Sequence, residues 1–325
     1  MERDKVMHGK LRVFAGQAGI PLATEVCKKL SLPLSKATVQ RFSDGEVRIQ
    51  LLEDVRDSDV FIINPTNPPA ENFFDMCLLA QAAQGSSAGR ITLVPSYLGY
   101  NRQDRKDRPR VPISARWIAR MLSQSGTNRM LLLDLHSEPT AAFFDSNIVV
   151  DHLYSSSVSI EYLKGLLHNE FVVASPDKGG GPRAEAYAKR LDLGDYVVFI
   201  KSRPQPNEVQ KDSIKIIGDV NGKDIIFIDD LIDTAGTIIA DAEAAQAAGA
   251  KDIYVFATHA LFSQKAIEHL DRSCIKEVVI TDSIHHEPVK LQTKRVKITI
   301  LSIAELLGKA IRCVHEGESV SSLIV

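Results

Sequence analysis

Apolar and polar positions come in alternating blocks along most of the chain. LRVFAG from Leu11, VFIIN from Val60, RITLVP from Arg90 and MLLLDLH from Met130 are short aliphatic runs, each followed by a polar loop and a helix-like stretch. Continuous apolar runs of this length suit strands buried on both faces. The intervening stretches predict helices ending near Leu30, over about 71–84 and over 114–124. ATVQRF and EVRIQLL differ. They flank Ser43-Asp44-Gly45 and predict an antiparallel pair, with Asp-Gly favouring a type I′ turn.

The second half repeats the plan. FVVASP, YVVFIK, IKIIG, DIIFIDD, IYVFATHA and EVVI predict strands. PRAEAYAKRL, the alanine-rich run after Gly236 and a segment near Ala266 predict helices. A last helix opens with Ser302-Ile303-Ala304-Glu305, the spacing of a capping box. Strands alternating with helices predict an α/β fold, a mostly parallel sheet flanked by helices. The shared rhythm of the halves predicts two similar domains, 1–152 and 153–325, joined where VVDHLYSSS changes character.

Composition narrows the function classes. The chain has 325 residues, 44% hydrophobic and 25% charged, with a net charge of -2. Such a balance gives no bulk attraction to nucleic acid or to an anionic membrane, and neither is expected as a partner. No apolar run approaches the roughly 20 residues that span a bilayer. MERDKVMHGK has no apolar core, so no secretory leader is expected. Four widely spaced cysteines without a CxxC pair predict reduced thiols and a cytoplasmic protein.

The candidate chemistry centres on IFIDDLIDTAGTI, 226–238. An apolar strand runs into Asp229 and Asp230, then Asp233, and a Thr234-Ala235-Gly236-Thr237 turn opens the next helix. Ligands of open α/β sheets bind at the carboxyl ends of strands. Unpaired N–H groups at a helix mouth bind anions, and the threonines add hydroxyl donors, so the turn suits a monophosphate. The carboxylates would repel that phosphate unless they face sugar hydroxyls or a divalent cation. The plainer alternative is an ordinary helix capped by Asp233 or Thr234. A second cluster, NRQDRKDRPR, sets Arg102, Arg105, Lys106, Arg108 and Arg110 against two acids. It reads as a solvated loop or as a clamp for a triphosphate, since arginine pairs bidentately with phosphate oxygens.

Five further motifs occur in order: RFSDGEVRIQ (41–50), GYNRQDRKDRPRVPISAR (99–116), LLLDLHSE (131–138), SPDKGGGPRAEAYAKRL (175–191) and KSRPQPNE (201–208). Together with 226–238 they resemble the ribose-phosphate pyrophosphokinase family over nearly the whole chain. The resemblance implies two phosphoribosyltransferase-like domains and an ATP-dependent pyrophosphoryl transfer to ribose 5-phosphate. It implies that Phe42 stacks on adenine, that Asp44, Gly45 and Glu46 on the same turn contact the nucleotide, and that Arg102, Gln103 and Asp104 bind ATP. His136 and Asp177 match residues that hold Mg²⁺. Lys201 and Arg203 match a catalytic pair on an exposed, mobile loop, with Arg203 also reaching the ribose 5-phosphate. Asp229, Asp230 and Asp233 match the sugar contacts, and 233–237 the phosphate loop. Self-association into dimers and hexamers is implied as well.

Lys178 and Gly181-Pro182 depart from the commoner family pattern, where a histidine and a non-proline pair stand. Two other readings remain open at this point. A phosphoribosyltransferase would use the same turn without an ATP clamp, and a non-catalytic homologue would keep the fold without the chemistry.

Overall fold

Chain order places most of the predicted elements and adds several. The structure, a computed structural model, describes residues 9–166, 170–202 and 213–323. It divides into two units. The first takes the chain up to Ser157 with Ser283–His285 and the segment from Ser302, and the second takes Val158–Asp282 and His286–Leu301. The units are therefore not the halves 1–152 and 153–325, because the last helix returns to the first unit.

In the first unit the order is β1 (Leu11–Ala15), α1 (Ile20–Leu30), β2 (Ala37–Arg41), β3 (Val47–Leu51), β4 (Asp59–Ile63), α2 (Glu71–Gly85), β5 (Arg90–Val94), α3 (Ser114–Ser123), β6 (Arg129–Leu133) and β7 (Val149–Leu153). Five strands form a parallel sheet ordered β1-β4-β5-β6-β7. Every residue of β4 is buried, as a strand covered on both faces demands. Phe14, Ile62, Leu93 and Leu132 pack with Met76 and Leu79 of α2 and Ile118 of α3.

The β2–β3 hairpin pairs as expected, from Ala37↔Leu51 to Arg41↔Val47, but its turn is not type I′. Only Gly45 has positive φ, at 97°, and its N–H donates to the Phe42 carbonyl at 2.9 Å. This is a three-residue turn with glycine in the bulge position. Asp44 Oδ1 accepts the Glu46 N–H at 3.0 Å, which bridges the glycine and fastens the turn.

The second unit continues with α4 (Ser156–Lys164), which starts at the unit boundary, then β8 (Phe171–Ser175), α5 (Gly181–Arg190), β9 (Tyr196–Ser202), β10 (Ser213–Ile217), β11 (Asp224–Ile232), α6 (Gly236–Ala247), β12 (Ile253–Ala260), α7 (Ala266–Arg272), β13 (Glu277–Thr281) and β14 (Lys297–Leu301). Its sheet is ordered β10-β9-β8-β11-β12-β13-β14, parallel except for β10 at one edge. Alternate residues of β11 serve opposite faces. Ile225 and Phe227 join Ile238, Ala242 and Ala245 of α6 in one core, and Ile226 and Ile228 join Ala184, Tyr187 and Ala188 of α5 in another.

The chain closes with α8 (Ala304–Glu316), packed on α1. A Cβ at Gly308 would sit 3.2 Å from the Lys29 Cβ, so the helices meet closely there. The expected capping box does not form. Ser302 Oγ accepts the Ala304 N–H at 3.3 Å, one residue too early. Glu305 instead pairs with Lys309 at 2.9 Å and Lys29 at 3.5 Å, so its carboxylate serves α1 rather than the helix start.

Candidate functional site

In the second sheet, β9 and β10 lie on one side of β8 and β11 to β14 on the other. The strand order therefore reverses between β8 and β11, and loops leaving their carboxyl ends diverge to open a ligand crevice. The loop after β8 carries Asp177, and that after β11 carries Asp233 and Thr234. Lys201 lies at the same edge, next to the end of β9. Asp177, Lys201, Asp229, Asp230 and 233–237 are thus brought to adjacent strand ends. Arg203 lies outside the described residues.

β11 does not stop at the paired carboxylates, as the sequence reading had it. It runs on through Ile232, with Leu231 and Ile232 paired to His259 and Ala260 of β12. Pairing with β8 ends at Phe227↔Ala174, so Asp229 and Asp230 project beyond that neighbour, with Asp229 paired to Ala257 and Leu231 to His259 of β12 on either side of Asp230. Their geometry is set by strand pairing rather than by a loop.

At the mouth of α6, Ala235 takes the N-cap place with φ 64°, ψ -4°, a residue with no side-chain acceptor of its own to cap the helix. A left-handed alanine costs about 1–2 kcal/mol, strain of the kind stored at ligand sites. Gly236 and Thr237, the first residues of the helix, are exposed beside it. Ala235→Val, adding a β-branched side chain at this buried left-handed position, is expected to destabilise the protein by about 2 kcal/mol or more. Ala235→Gly should stay within about 1 kcal/mol of the parent. Urea unfolding of both variants checks this.

Arg183, in the first turn of α5, binds the acid pair. Its Nη1 donates to Asp230 Oδ1 at 3.0 Å and lies 3.8 Å from Asp229 Oδ1. Asp229 Oδ1 also accepts the Asp230 N–H at 2.8 Å. The Asp229 carboxyl is pushed well above the ordinary carboxylate range, first by burial and then by the like charge of Asp230, with Arg183 opposing. Such a pair favours a partner that brings hydroxyl donors or positive charge.

Lys201 reaches back to α6. Its Nζ lies 3.3 Å from Asp241 Oδ2 and 3.3 Å from the Thr237 carbonyl oxygen. The Asp241 side chain is fully buried, and neither of its oxygens accepts a well-formed hydrogen bond. Burial pushes its carboxyl up to about 6, with Lys201 pulling it down and Asp177 adding a smaller push. An acid whose folded pKa exceeds its unfolded value binds its proton more tightly when folded, so ionisation costs stability. The cost is absent below about pH 4 and complete above about pH 6, near 3 kcal/mol for a shift of roughly two units. The stability of Asp241→Asn relative to the parent should therefore rise by about 3 kcal/mol between pH 4 and pH 7.5. A difference that stays flat across urea unfolding at those pH values contradicts this.

Asp177 is exposed, and its Oδ1 accepts the Gly180 N–H at 2.8 Å. A Cβ at Gly180 would meet Ser175 Oγ at 2.6 Å, so glycine is needed for this tight loop. Pro182 opens α5, where its missing N–H costs nothing. An exposed carboxylate on a fixed loop suits Mg²⁺, which takes one or two carboxylates and keeps several waters. Among the described residues no group of three or more His, Cys, Asp or Glu side chains is placed to hold a metal.

In the first unit, β5 and β6 are neighbours, so the basic loop 101–110 and the DLHS turn leave the same sheet edge. Gln103 anchors that loop to α3. Its carbonyl accepts the Ala115 N–H at 3.2 Å and its Oε1 accepts the Ser114 hydroxyl at 2.6 Å. Arg102 is exposed and Asp104 is partly buried. Asp134 is buried and accepts the Ser155 N–H at 3.0 Å, and the Leu135 N–H donates to His152 Nε2 at 3.0 Å. This fastens the turn and leaves His136 exposed. Asp44, Gly45 and Glu46 are exposed at the hairpin tip, with Phe42 48% exposed and the Arg48 guanidinium 5.6 Å from its ring. Behind the tip, Arg41 pairs with the buried Asp75 of α2 at 3.2 Å.

Comparison with known proteins decides what this arrangement belongs to. The family model described as the N-terminal domain of ribose phosphate pyrophosphokinase matches residues 11–126. The phosphoribosyl synthetase-associated domain matches residues 197–325. A ribose-phosphate pyrophosphokinase of Chlorobaculum tepidum is 43% identical over 318 residues, 98% of this chain and 96% of that protein. The chain belongs to the ribose-phosphate pyrophosphokinase family. The Campylobacter jejuni member is 43% identical over 315 residues, 97% of this chain and 99% of its own. The crystal structure of phosphoribosylpyrophosphate synthetase from Mycobacterium smegmatis superposes with a TM-score of 0.87 at 33% identity, covering 95% of this chain and 99% of that one.

Two residues of this family member escaped the sequence reading. Arg183 stands in the first turn of a helix, where the dipole disfavours a cation. That mismatch signals a nearby acid. Asp241 interrupts an alanine-rich helix on the face that carries Ile238, Ala242 and Ala245, and an acid on an apolar face signals a buried partner.

Proposed function

We propose that the protein transfers the pyrophosphoryl group of ATP to the C1 hydroxyl of ribose 5-phosphate, giving 5-phosphoribosyl 1-pyrophosphate and AMP. The observation that carries this reading is the left-handed mouth of α6 beside the Asp229–Asp230 pair, in a chain whose relatives are ribose-phosphate pyrophosphokinases along almost its entire length. The mouth, 233–237, takes the 5-phosphate, and Asp229, Asp230 and Asp233 take the ribose hydroxyls. Arg183 offsets the acid pair so that the sugar's phosphate is not repelled.

Elements of the first unit supply the nucleotide contacts. Arg102, Gln103 and Asp104 hold the polyphosphate and ribose of ATP, with Gln103 keeping the loop on α3. Phe42 stacks on adenine, and Asp44, Gly45 and Glu46 flank it. The half-exposed ring suits a site completed by a neighbouring copy, so the working form is an oligomer, a dimer or hexamer, in the cytoplasm. Asp177 and His136 would hold Mg²⁺, which neutralises phosphate charge when bound. Lys201 and Arg203 stabilise the charge that grows on the transferred group and on departing AMP. Such transfers rest on positioning and electrostatics rather than on a covalent intermediate.

Incubation with ATP, ribose 5-phosphate and Mg²⁺ tests the reading. AMP must appear in step with a sugar pyrophosphate. ADP in its place means simple phosphorylation, and no nucleotide product means a non-catalytic homologue. Base-dependent consumption of the sugar pyrophosphate, without any ATP reaction, means a phosphoribosyltransferase.

A further inference from the structure

Lys201 is the described cation assigned to the chemistry, yet it rests against a buried acid on α6. Its ammonium is 3.3 Å from Asp241 Oδ2 and 3.3 Å from the Thr237 carbonyl, one helical turn before Asp241. The Asp241 carboxylate is sealed from solvent, and among the described residues nothing else compensates it, because neither oxygen accepts a well-formed hydrogen bond. Among the described residues the charged groups acting on it are Lys201 from β9 and Asp177 from the loop after β8, and only Lys201 is a cation. A lysine that stabilises a migrating phosphoryl chain must bring its ammonium to that chain. It cannot do so and keep this contact at full strength.

We propose that Asp241 is the resting counter-ion of Lys201, so that the buried carboxylate of α6 and the phosphates of the bound nucleotide compete for one ammonium. This rests on the proposed function and adds a positioning residue to it. A buried carboxylate stripped of its cation is costly, and the cheaper course is to take up a proton. Asp241 is already pushed up to about 6 with Lys201 beside it, and moving that charge away pushes it further. Engagement of the nucleotide thus draws one proton from solvent onto an Asp241 oxygen, while the ammonium stays charged. The resting pair also holds back binding, since only molecules with Lys201 released present it to the phosphates.

The test uses the full chain with Mg²⁺ and ribose 5-phosphate. Titration with α,β-methylene-ATP by calorimetry, in two buffers of different ionisation enthalpy near pH 7, reads proton uptake. The parent should take up an extra fraction of a proton that Asp241→Asn does not, and the variant's KM for ATP should fall roughly three- to tenfold. Lys201→Met gives a second reading that does not depend on the Asn variant folding. There Asp241 is protonated before and after nucleotide binding, so the extra uptake disappears. Uptake that is equal in parent and Asp241→Asn, or that persists in Lys201→Met, overturns the proposal. So does an Asp241→Asn enzyme whose kcat drops as steeply as that of a Lys201 variant at unchanged KM, because Asp241 would then hold the lysine in its working place. If the parent makes no AMP at all, the functional reading fails and this proposal falls with it. AMP formation with unchanged KM and uptake overturns the role of Asp241 alone.

Discussion

Lys201→Ala is expected to lower turnover at least 100-fold while leaving the KM for ribose 5-phosphate within a small factor of the parent. Charge migrates onto the bridging oxygen as AMP departs, and a fixed cation there acts most strongly in the transition state. Loss of one such donor costs about 3–4 kcal/mol, or roughly 10²–10³ in rate. The sugar phosphate is held by the α6 mouth and the acid pair, which do not need the lysine's head group. The variant leaves Asp241 buried without its cation. A control is therefore the double variant Lys201→Ala/Asp241→Asn, which should recover stability at neutral pH and recover none of the turnover. Steady-state rates on AMP release check both. A double variant with parent-like turnover would remove Lys201 from the chemistry.

Arg90→Met is expected to cost about 3–5 kcal/mol of stability, because it strips a buried carboxylate of its main partner. Asp59 is wholly buried at the start of β4. Arg90, first residue of β5, grips it with two hydrogen bonds, 2.8 Å from Nε and 2.5 Å from Nη2. The same Nη2 donates to the Val314 carbonyl on α8 at 2.8 Å, and His315 Nδ1 lies 2.8 Å from Asp59 Oδ2. One cluster thus joins two strands and the returning helix. Replacing both partners, as Asp59→Leu/Arg90→Met, should recover much of the loss, since an apolar pair of similar volume needs no compensation. The cluster sits at the amino ends of the strands, opposite the edge that carries the loops. At a temperature where Arg90→Met is folded, its kcat and KM should match the parent. Urea unfolding with steady-state kinetics separates the two effects, and a large KM change in the folded variant would contradict this placement.

The β-rich core and most helices were legible because buried parallel strands read as plain apolar runs. β7 and β14 were not. VVDHL carries Asp151 and His152 among its apolar residues, and KITIL alternates at an edge where one face stays open. The return of α8 to the first unit was hidden as well, since it depends on Gly308 and on a charge cluster separated widely in sequence. At the site, the acid pair and helix mouth stood out because three acids beside a small-residue turn have little structural purpose. Arg183 and Asp241 did not stand out, because each gains its meaning only from a neighbouring strand. The turn after Phe42 shows the limit of a dipeptide rule. Asp-Gly announced the hairpin, but the loop has three residues, with positive φ at its glycine alone, which two-residue type I′ geometry does not describe.

The central claim is that a two-phosphate unit, not a single phosphate, moves from nucleotide to sugar. ATP labelled in its β-phosphorus tests this most directly. The label must leave the nucleotide and appear wholly in the sugar product, with AMP unlabelled. Label retained in ADP, or returned to a nucleotide while the sugar gains only the γ-phosphorus, would contradict the account.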